Sequence, residues 1–298
     1  MKIVSLIPSA TEIVNFLELT QSLVGVSHEC DFPENVRSLP IITNSKIKTD
    51  QTSLSIDIDI KKILELGLSV YGVNAELLKN LQPEIIITQS QCSVCAVSLQ
   101  ELKKSLDNWL EENTSLIDLS PNSLNDILED IKKVGKALNV EKTAIDKVNS
   151  MKQEIKEIRN KIKNVEKQNV LCIEWLNPVM IAGNWIPDLL TIINSKSLLI
   201  EKNQNSEFIS TEKIIQTKAD KIILMPCGFD IKKTKQELKF VDREFKKFLN
   251  GKSVYLVDGN RFFNRPGPSI LESLHILCEI VHPDIFSPNS SNKRWIKL

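Results

Sequence analysis

The chain carries no net charge: 38 Lys and Arg face 38 Asp and Glu, with three His. That balance removes the field that collects nucleic acid or an anionic membrane, so neither is expected as a partner. No hydrophobic run approaches the length of a membrane-spanning helix, so a membrane-embedded protein is not expected either. Glycine is scarce, nine in 298 residues, and there is no Gly-rich phosphate loop, nucleophile elbow or internal repeat. The six Cys lack the dense, even spacing of a small disulfide-stapled domain and read as reduced thiols. Met1 to Ser9 reads as a strand and turn, and Glu12 closes off the apolar core that an export signal requires. These features predict a cytoplasmic protein, or a periplasmic or lipid-anchored one should an export signal precede this start.

What the chain does have is a set of short apolar runs that stop on reactive or aromatic side chains. Leu23 to Ser27 ends on His28, Glu29 and Cys30. Ile85 to Thr88 ends on Gln89, Gln91 and the pair Cys92 and Cys95. Val170 to Ile173 ends on Glu174 and Trp175, Ile222 to Met225 on Cys227, Gly228 and Phe229, and Val254 to Val257 on Asn260 to Arg265. In an open α/β sheet the carboxyl ends of strands line the ligand crevice, so these five loops are expected to converge on one cleft.

Amphipathic helices alternate with the runs, which argues for parallel βαβ construction. Strands are expected near 2–7, 23–27, 84–88 and 115–119. Ser9-Ala10-Thr11-Glu12 reads as the opening of a helix Glu12 to Leu19, Asn74-Ala75-Glu76 as the start of one reaching Leu81, and Ala96 to Leu110 as a further helix. Ser123 with Asp126 caps another, with Ile127, Ile131, Val134 and Leu138 as its buried stripe. From about Glu141 to Lys167 a long charged helix follows, with Ile145, Val148, Met151, Ile155, Ile158, Ile162 and Val165 at three- and four-residue steps. At 1.5 Å per residue it is on the order of 40 Å long, enough to brace two lobes; a coiled-coil dimer seam is the competing reading. Strands near 169–174, 221–226 and 253–258 repeat the plan. A helix from about Ser269 to Ile280 ends before Pro283, and Ser287 to Asn292 reads as a loose tail. The expected organisation is an α/β fold of two Rossmann-like lobes with mostly parallel sheets: residues 1–139, a linking helix 140–167 and residues 168–298, with the ligand cleft between the lobes.

The order and wording of the loops resemble the substrate-binding proteins of cobalamin and iron-siderophore uptake, with the cobalamin-binding proteins nearest. The resemblance rests on Ile3 to Glu12, Val24 to Pro33, Leu81 to Ile87 and Asp258 to Pro268, and it runs the length of the chain. The blocks His28 to Asp31, Gln91 to Cys95, Glu174 to Pro178 and Phe263 to Pro268 resemble a narrower subgroup that begins without a signal peptide. The resemblance implies non-catalytic binding of cobalamin or a related corrinoid or metal chelate, with no cofactor required, and an ABC permease or an intracellular acceptor protein as partner. Exported members of the family present an acidic residue from each lobe to the permease. Here Gln89 to Cys95 carries no charge, and Lys232, Lys233 and Lys235 outweigh Asp230.

Read residue by residue, the cleft suits a large, flat, partly polar ligand. Trp175, Trp185, Phe229, Phe262 and Phe263 supply apolar faces, Gln89, Gln91, Asn260 and Asn264 pair with peripheral amides or carboxylates, and Arg265 is a bidentate anchor for a carboxylate or phosphate. The alternative is rim packing for the aromatics and an internal ion pair for Arg265. His28, Cys30, Cys92, Cys95 and Cys227 are soft donors for zinc, iron or the cobalt of a corrin, so a bound metal and a thiol- or metal-dependent enzyme stay open as alternatives. In that reading Glu174 is a candidate base, and Glu29 and Glu174 can orient metal ligands. The pair Cys92 and Cys95 can equally be a redox pair or packing. A metal-loaded sensory or scaffold protein that dimerises through the middle helix is a third reading. Cys172 and Cys278 are expected as buried small hydrophobes, and His275 and His282 as cationic complements to the end of the last helix.

Overall fold

The computed structural model describes residues 1–66, 68–91, 102, 114–287 and 294–298. The chain divides into two compact units. One comprises Met1–Gln51, Ile58–Pro121 and Asp126–Val148, the other Thr52–Asp57, Asn122–Asn125 and Asn149–Leu298.

The first unit is built on a parallel sheet in the order β2-β1-β5-β6, from Ile3–Ser5 (β1), Leu23–Val26 (β2), Ile85–Gln89 (β5) and Ser115–Leu119 (β6). A small antiparallel pair, Thr43–Ser45 (β3) and Tyr71–Val73 (β4), stands beside it. Strand β5 is buried along its whole length, as a strand covered on both faces must be. Because the four strands are parallel, Ser5, Val26, Gln89 and Leu119 finish at one edge.

The helices follow the apolar periodicity with two instructive differences. Helix α1 spans Pro8–Phe16, four residues earlier than expected. Pro8 at its first position has the fixed φ that a helix start requires, so Ser9 and Thr11 lie inside the helix rather than capping it. Helix α3, Ala75–Leu81, starts as read, with the Asn74 side chain accepting from Leu77 N at 3.0 Å. The stripe Ile127, Ile131, Val134 and Leu138 of α4 (Leu124–Ala137) is buried. Helix α5, Glu141–Ile162, buries Val148, Met151, Ile155, Ile158 and Ile162. Ile145 is 39% exposed and Ala144 takes its inward place. The methyl of Ala144 packs where Gly135 of α4 has no side chain, an approach closed to isoleucine.

The second unit carries a mixed sheet in the order β10-β8-β7-β11-β12-β13, with β9 paired to β7. Its parallel centre is Gln168–Leu176 (β7), Lys221–Leu224 (β11) and Val254–Val257 (β12). Val179–Ile181 (β8), Ser195–Ser197 (β9), Glu207–Phe208 (β10) and Trp295–Lys297 (β13) are short flanking elements. They are too brief to leave a periodic signature. The last of them pairs antiparallel with β12 just beyond the expected loose tail, and Trp295 packs edge-on to Tyr255 with centroids 5.6 Å apart. Leu171, Ile173, Ile222, Leu224 and Leu256 form a core with Ile214 of the helix Thr211–Ile215 (α7), Ile231 of Ile231–Glu237 (α8) and Phe245, Phe248 and Leu249 of Arg243–Leu249 (α9), while Ile186–Ile192 (α6) buries Ile186, Leu189, Leu190 and Ile192 beside β9.

Helix α10 spans Ile270–Val281 and ends before Pro283. Cys278 on it and Cys172 in β7 are buried, and burial pushes both thiols up, Cys278 to about 12. His282 is not a solvated cation at the helix end. It is buried, and its Nε2 lies 2.6 Å from the Ile193 carbonyl oxygen. His275 pairs instead with Glu154, Nε2 to Oε1 at 2.5 Å.

Helix α2, Ser53–Glu65, begins on a buried carboxylate. Glu237 Oε1, at the end of α8, accepts from Ser53 N at 2.7 Å and Ser53 Oγ at 2.6 Å, and both residues are buried. A remote side chain thus does the work of an N-cap. Replacing Glu237 with Ala strands two buried donors and is expected to lower stability by about 2 kcal/mol. Glu237→Gln keeps a carbonyl acceptor and should lose less than half of that in urea denaturation.

Candidate functional site

In the first unit the edge where β1 and β2 finish carries two pairs of hydrogen-bonded hydroxyls. Thr11 Oγ1 donates to Ser5 Oγ at 2.8 Å and lies 3.1 Å from Cys30 Sγ. Thr43 Oγ1 accepts from His28 N at 3.1 Å, donates to Ser27 Oγ at 3.0 Å and lies 2.7 Å from His28 Nδ1. With the Thr43 hydrogen directed to Ser27, Nδ1 carries the imidazole proton and Nε2 presents a lone pair. Burial pushes the His28 pKa down, which keeps the ring neutral at physiological pH. Tyr71 lies against this ring, centroids 5.4 Å apart, and its hydroxyl donates to Glu29 Oε1 at 3.0 Å. His28, Glu29 and Cys30 follow β2 and share these contacts. Ser5, Thr11, Ser27, Thr43 and Tyr71 join them without having announced themselves: short polar residues in a strand or a helix carry no periodic signal. Gln89 is buried at the end of β5, and Gln91 is half-buried just beyond it. Cys92 and Cys95 lie outside the described residues.

In the second unit the register places Leu224 beside Ile173, so the loop after β11 runs level with Glu174 and Trp175. Cys227 N donates to the Glu174 carbonyl at 3.0 Å, and Trp175 and Phe229 pack with centroids 5.2 Å apart. Trp175 and Cys227 are half-buried, while Phe229 is buried beneath Trp175. The Glu174 carboxylate accepts from Ser206 Oγ at Oε2, 2.7 Å, and burial raises its pKa to about 7 against the opposing pull of that bond. The next turn, Gly259–Phe263, is π-helical, a rare geometry enriched at functional sites. Asn260 N donates to the Phe229 carbonyl at 3.1 Å, and Arg261 lies over the Phe262 ring at 5.3 Å.

Four candidates of this unit fold back into it. Phe263 is 1% exposed and Trp185 6%, with the indole Nε1 donating to the Phe263 carbonyl at 3.0 Å. Arg265 is 3% exposed and so does not present an open anchor at the strand ends. Asn264 spends its amide on the carbonyls of Met225 at 3.0 Å and Gly259 at 2.9 Å, locking the loop. Strand-end position alone did not distinguish a side chain that faces out from one that folds back. Among the described residues no group of three or more His, Cys, Asp or Glu side chains is arranged to hold a metal ion.

Parallel strands whose carboxyl ends carry such clusters define a binding fold of the α/β class. The family model described as periplasmic binding protein matches residues 3–247, and the chain belongs to that family. It is accordingly a binding protein and not an enzyme. The chain is 26% identical over 293 residues, 96% of its length and 81% of the relative's, to the "Uncharacterized ABC transporter substrate-binding lipoprotein YvrC" of Bacillus subtilis. Its fold is similar to a periplasmic heme binding protein from Pseudomonas aeruginosa, with TM-score 0.73, 17% identity and 99% and 97% of the two chains covered. It is also similar to the periplasmic vitamin B12 binding protein BtuF of Vibrio cholerae, with TM-score 0.66, 16% identity and coverage of 94% and 96%.

Proposed function

We propose that the protein captures a planar metal chelate, a corrinoid or another tetrapyrrole, and hands it to an ABC permease. The Trp175–Phe229 face carries this reading: a broad aromatic surface, half open, at the carboxyl end of a parallel strand, beside a carboxyl group that can be neutral. Such a surface suits a flat, apolar ring with polar edges. In the first unit His28 is a separate candidate, since a neutral imidazole with a lone pair on Nε2 is a ligand for cobalt or iron. The relatives point the same way, to substrate capture for an ABC transporter and to vitamin B12 and heme as ligands of similar folds.

The test is equilibrium titration of the purified chain with cyanocobalamin, haemin and a ferric siderophore, followed by visible absorption and tryptophan quenching. One of the two tetrapyrroles should bind, and Trp175→Ala should weaken it about tenfold or more, the value of one stacked aromatic face. A siderophore bound more tightly than either tetrapyrrole overturns the reading. With direct ligation, His28→Ala also erases the shift of the metal chromophore on binding.

A further inference from the structure

The reading above leaves open what the second unit recognises in the ligand, and the hydrogen bonds around Glu174 answer that. Ser206 Oγ accepts from Gly183 N at 3.0 Å and from Asn184 Nδ2 at 3.4 Å. Its two lone pairs are thereby used, and its single hydrogen goes to Glu174 Oε2 at 2.7 Å. Oε2 is therefore committed as an acceptor. A proton on this carboxyl group belongs to Oε1, which among the described residues has no hydrogen-bond partner. Glu174 shares the end of β7 with Trp175, whose ring packs on Phe229.

We propose that Glu174 is the specificity-determining residue of this unit: as the neutral acid it donates a hydrogen bond from Oε1 to an acceptor on the ligand, a carboxylate or an amide carbonyl. The inference rests on the proposed ligand class, because it needs an acceptor group at the edge of a ring lying on Trp175. It also predicts what is rejected. Once ionised, the carboxylate has no hydrogen to give and repels a carboxylate on the ligand, so the site favours acceptor-edged rings when protonated.

Burial raises the pKa of Glu174 to about 7, so the switch falls in the physiological range. The charged and titratable groups on neighbouring elements are Cys227 after β11, Asp258 after β12, whose side chain holds Arg261 N at 2.7 Å, Lys233 over the Phe229 ring, and Glu207 beside Ser206 on β10. None of these enters the causes of the shift, which are burial and the Ser206 bond.

The experiment measures the affinity of the wild-type protein, Glu174→Gln and Cys227→Ser for cyanocobalamin, edged with amides, and for haemin, edged with carboxylates. If only the neutral acid binds, wild-type affinity falls about tenfold from about pH 6 to about pH 8, and Cys227→Ser keeps that fall. Glu174→Gln always has an N–H to donate and should vary by less than about twofold over the same range. A flat wild-type profile overturns the proposal and leaves the ligand class standing. The same tenfold fall in Glu174→Gln overturns it too, by assigning the titration to another group. If neither probe binds the wild type at any pH, the ligand class fails and the proposal with it.

Discussion

Replacing Gly259 with Ala is expected to destabilise the second unit by about 3 kcal/mol or more and to abolish ligand capture. The residue opens the π-helical turn after β12 at a point where chain meets chain. A Cβ here would lie 2.6 Å from both the carbonyl carbon and the oxygen of Met225, and closer still to the Pro226 oxygen. These are backbone atoms at the end of a buried parallel strand, so no side chain can swing aside to make room. The turn can only back away. Doing so pulls on the Asn260 N to Phe229 carbonyl bond and on both bonds of the Asn264 amide, and these hold the loop that carries Phe229 under Trp175. Asn264→Ala removes those two bonds without a collision and should cost only about 1 to 2 kcal/mol. Thermal melts of the two variants, with tetrapyrrole titrations of each, check the contrast. A Gly259→Ala protein as stable as the wild type would show that the approach is looser than described.

The parallel sheets and most of the helices could be read from the sequence because burial on both faces imposes continuous apolar runs, and one-sided packing imposes the step of three and four. Strand β5 and the stripe of α4 are cases where one pattern has one structural meaning. The candidate residues were legible only where a chemically distinctive side chain ends or follows a strand: His28, Glu29, Cys30, Glu174, Trp175 and Cys227. The other half of each cluster was hidden. Thr43 and Tyr71 come from the antiparallel pair β3 and β4, and Ser206 precedes a two-residue edge strand. Their sequence separation from His28 and Glu174 is set by the path of the chain and by no local rule. Trp185, Phe263 and Arg265 were misplaced for a related reason, since a bulky or charged side chain leaving a strand can turn toward the core as readily as toward a ligand, and composition does not say which. Arg265 is the sharper case: a buried guanidinium looks in sequence like an anchor for an anion.

The first unit should show the opposite of ordinary acid denaturation over part of its pH range, through Asp130 of α4. This residue is 9% exposed, and its Oδ2 is buried with no hydrogen-bond partner among the described residues. Asp118, at the end of β6, has Oδ1 in the same condition, while its Oδ2 accepts from Ser90 Oγ at 2.6 Å and its backbone carbonyl accepts from Lys133 Nζ. Burial is the main cause that raises Asp130 to about 6, with Asp126 and Asp118 adding to it and Lys133 and the Ser120 N–H opposing. The folded state therefore holds a proton that the unfolded chain, with a carboxyl near 3.8, releases. In that interval the native state binds more protons than the unfolded one, so this group's contribution falls as pH rises through about 4 to 6 and stays lost above. A shift of about two pH units at about 1.4 kcal/mol each sets the loss at about 3 kcal/mol at most. Asp130→Asn has no proton to lose, and its amide supplies a donor where the carboxylate supplied none. The variant should match the wild type near pH 4 and exceed it progressively to about pH 7, and most of that gain should persist when Asp118 is also made Asn, because burial is the main cause. Urea denaturation across this range provides the measurement, and a constant difference between Asp130→Asn and the wild type at every pH would show that Asp130 is ionised in the folded protein throughout.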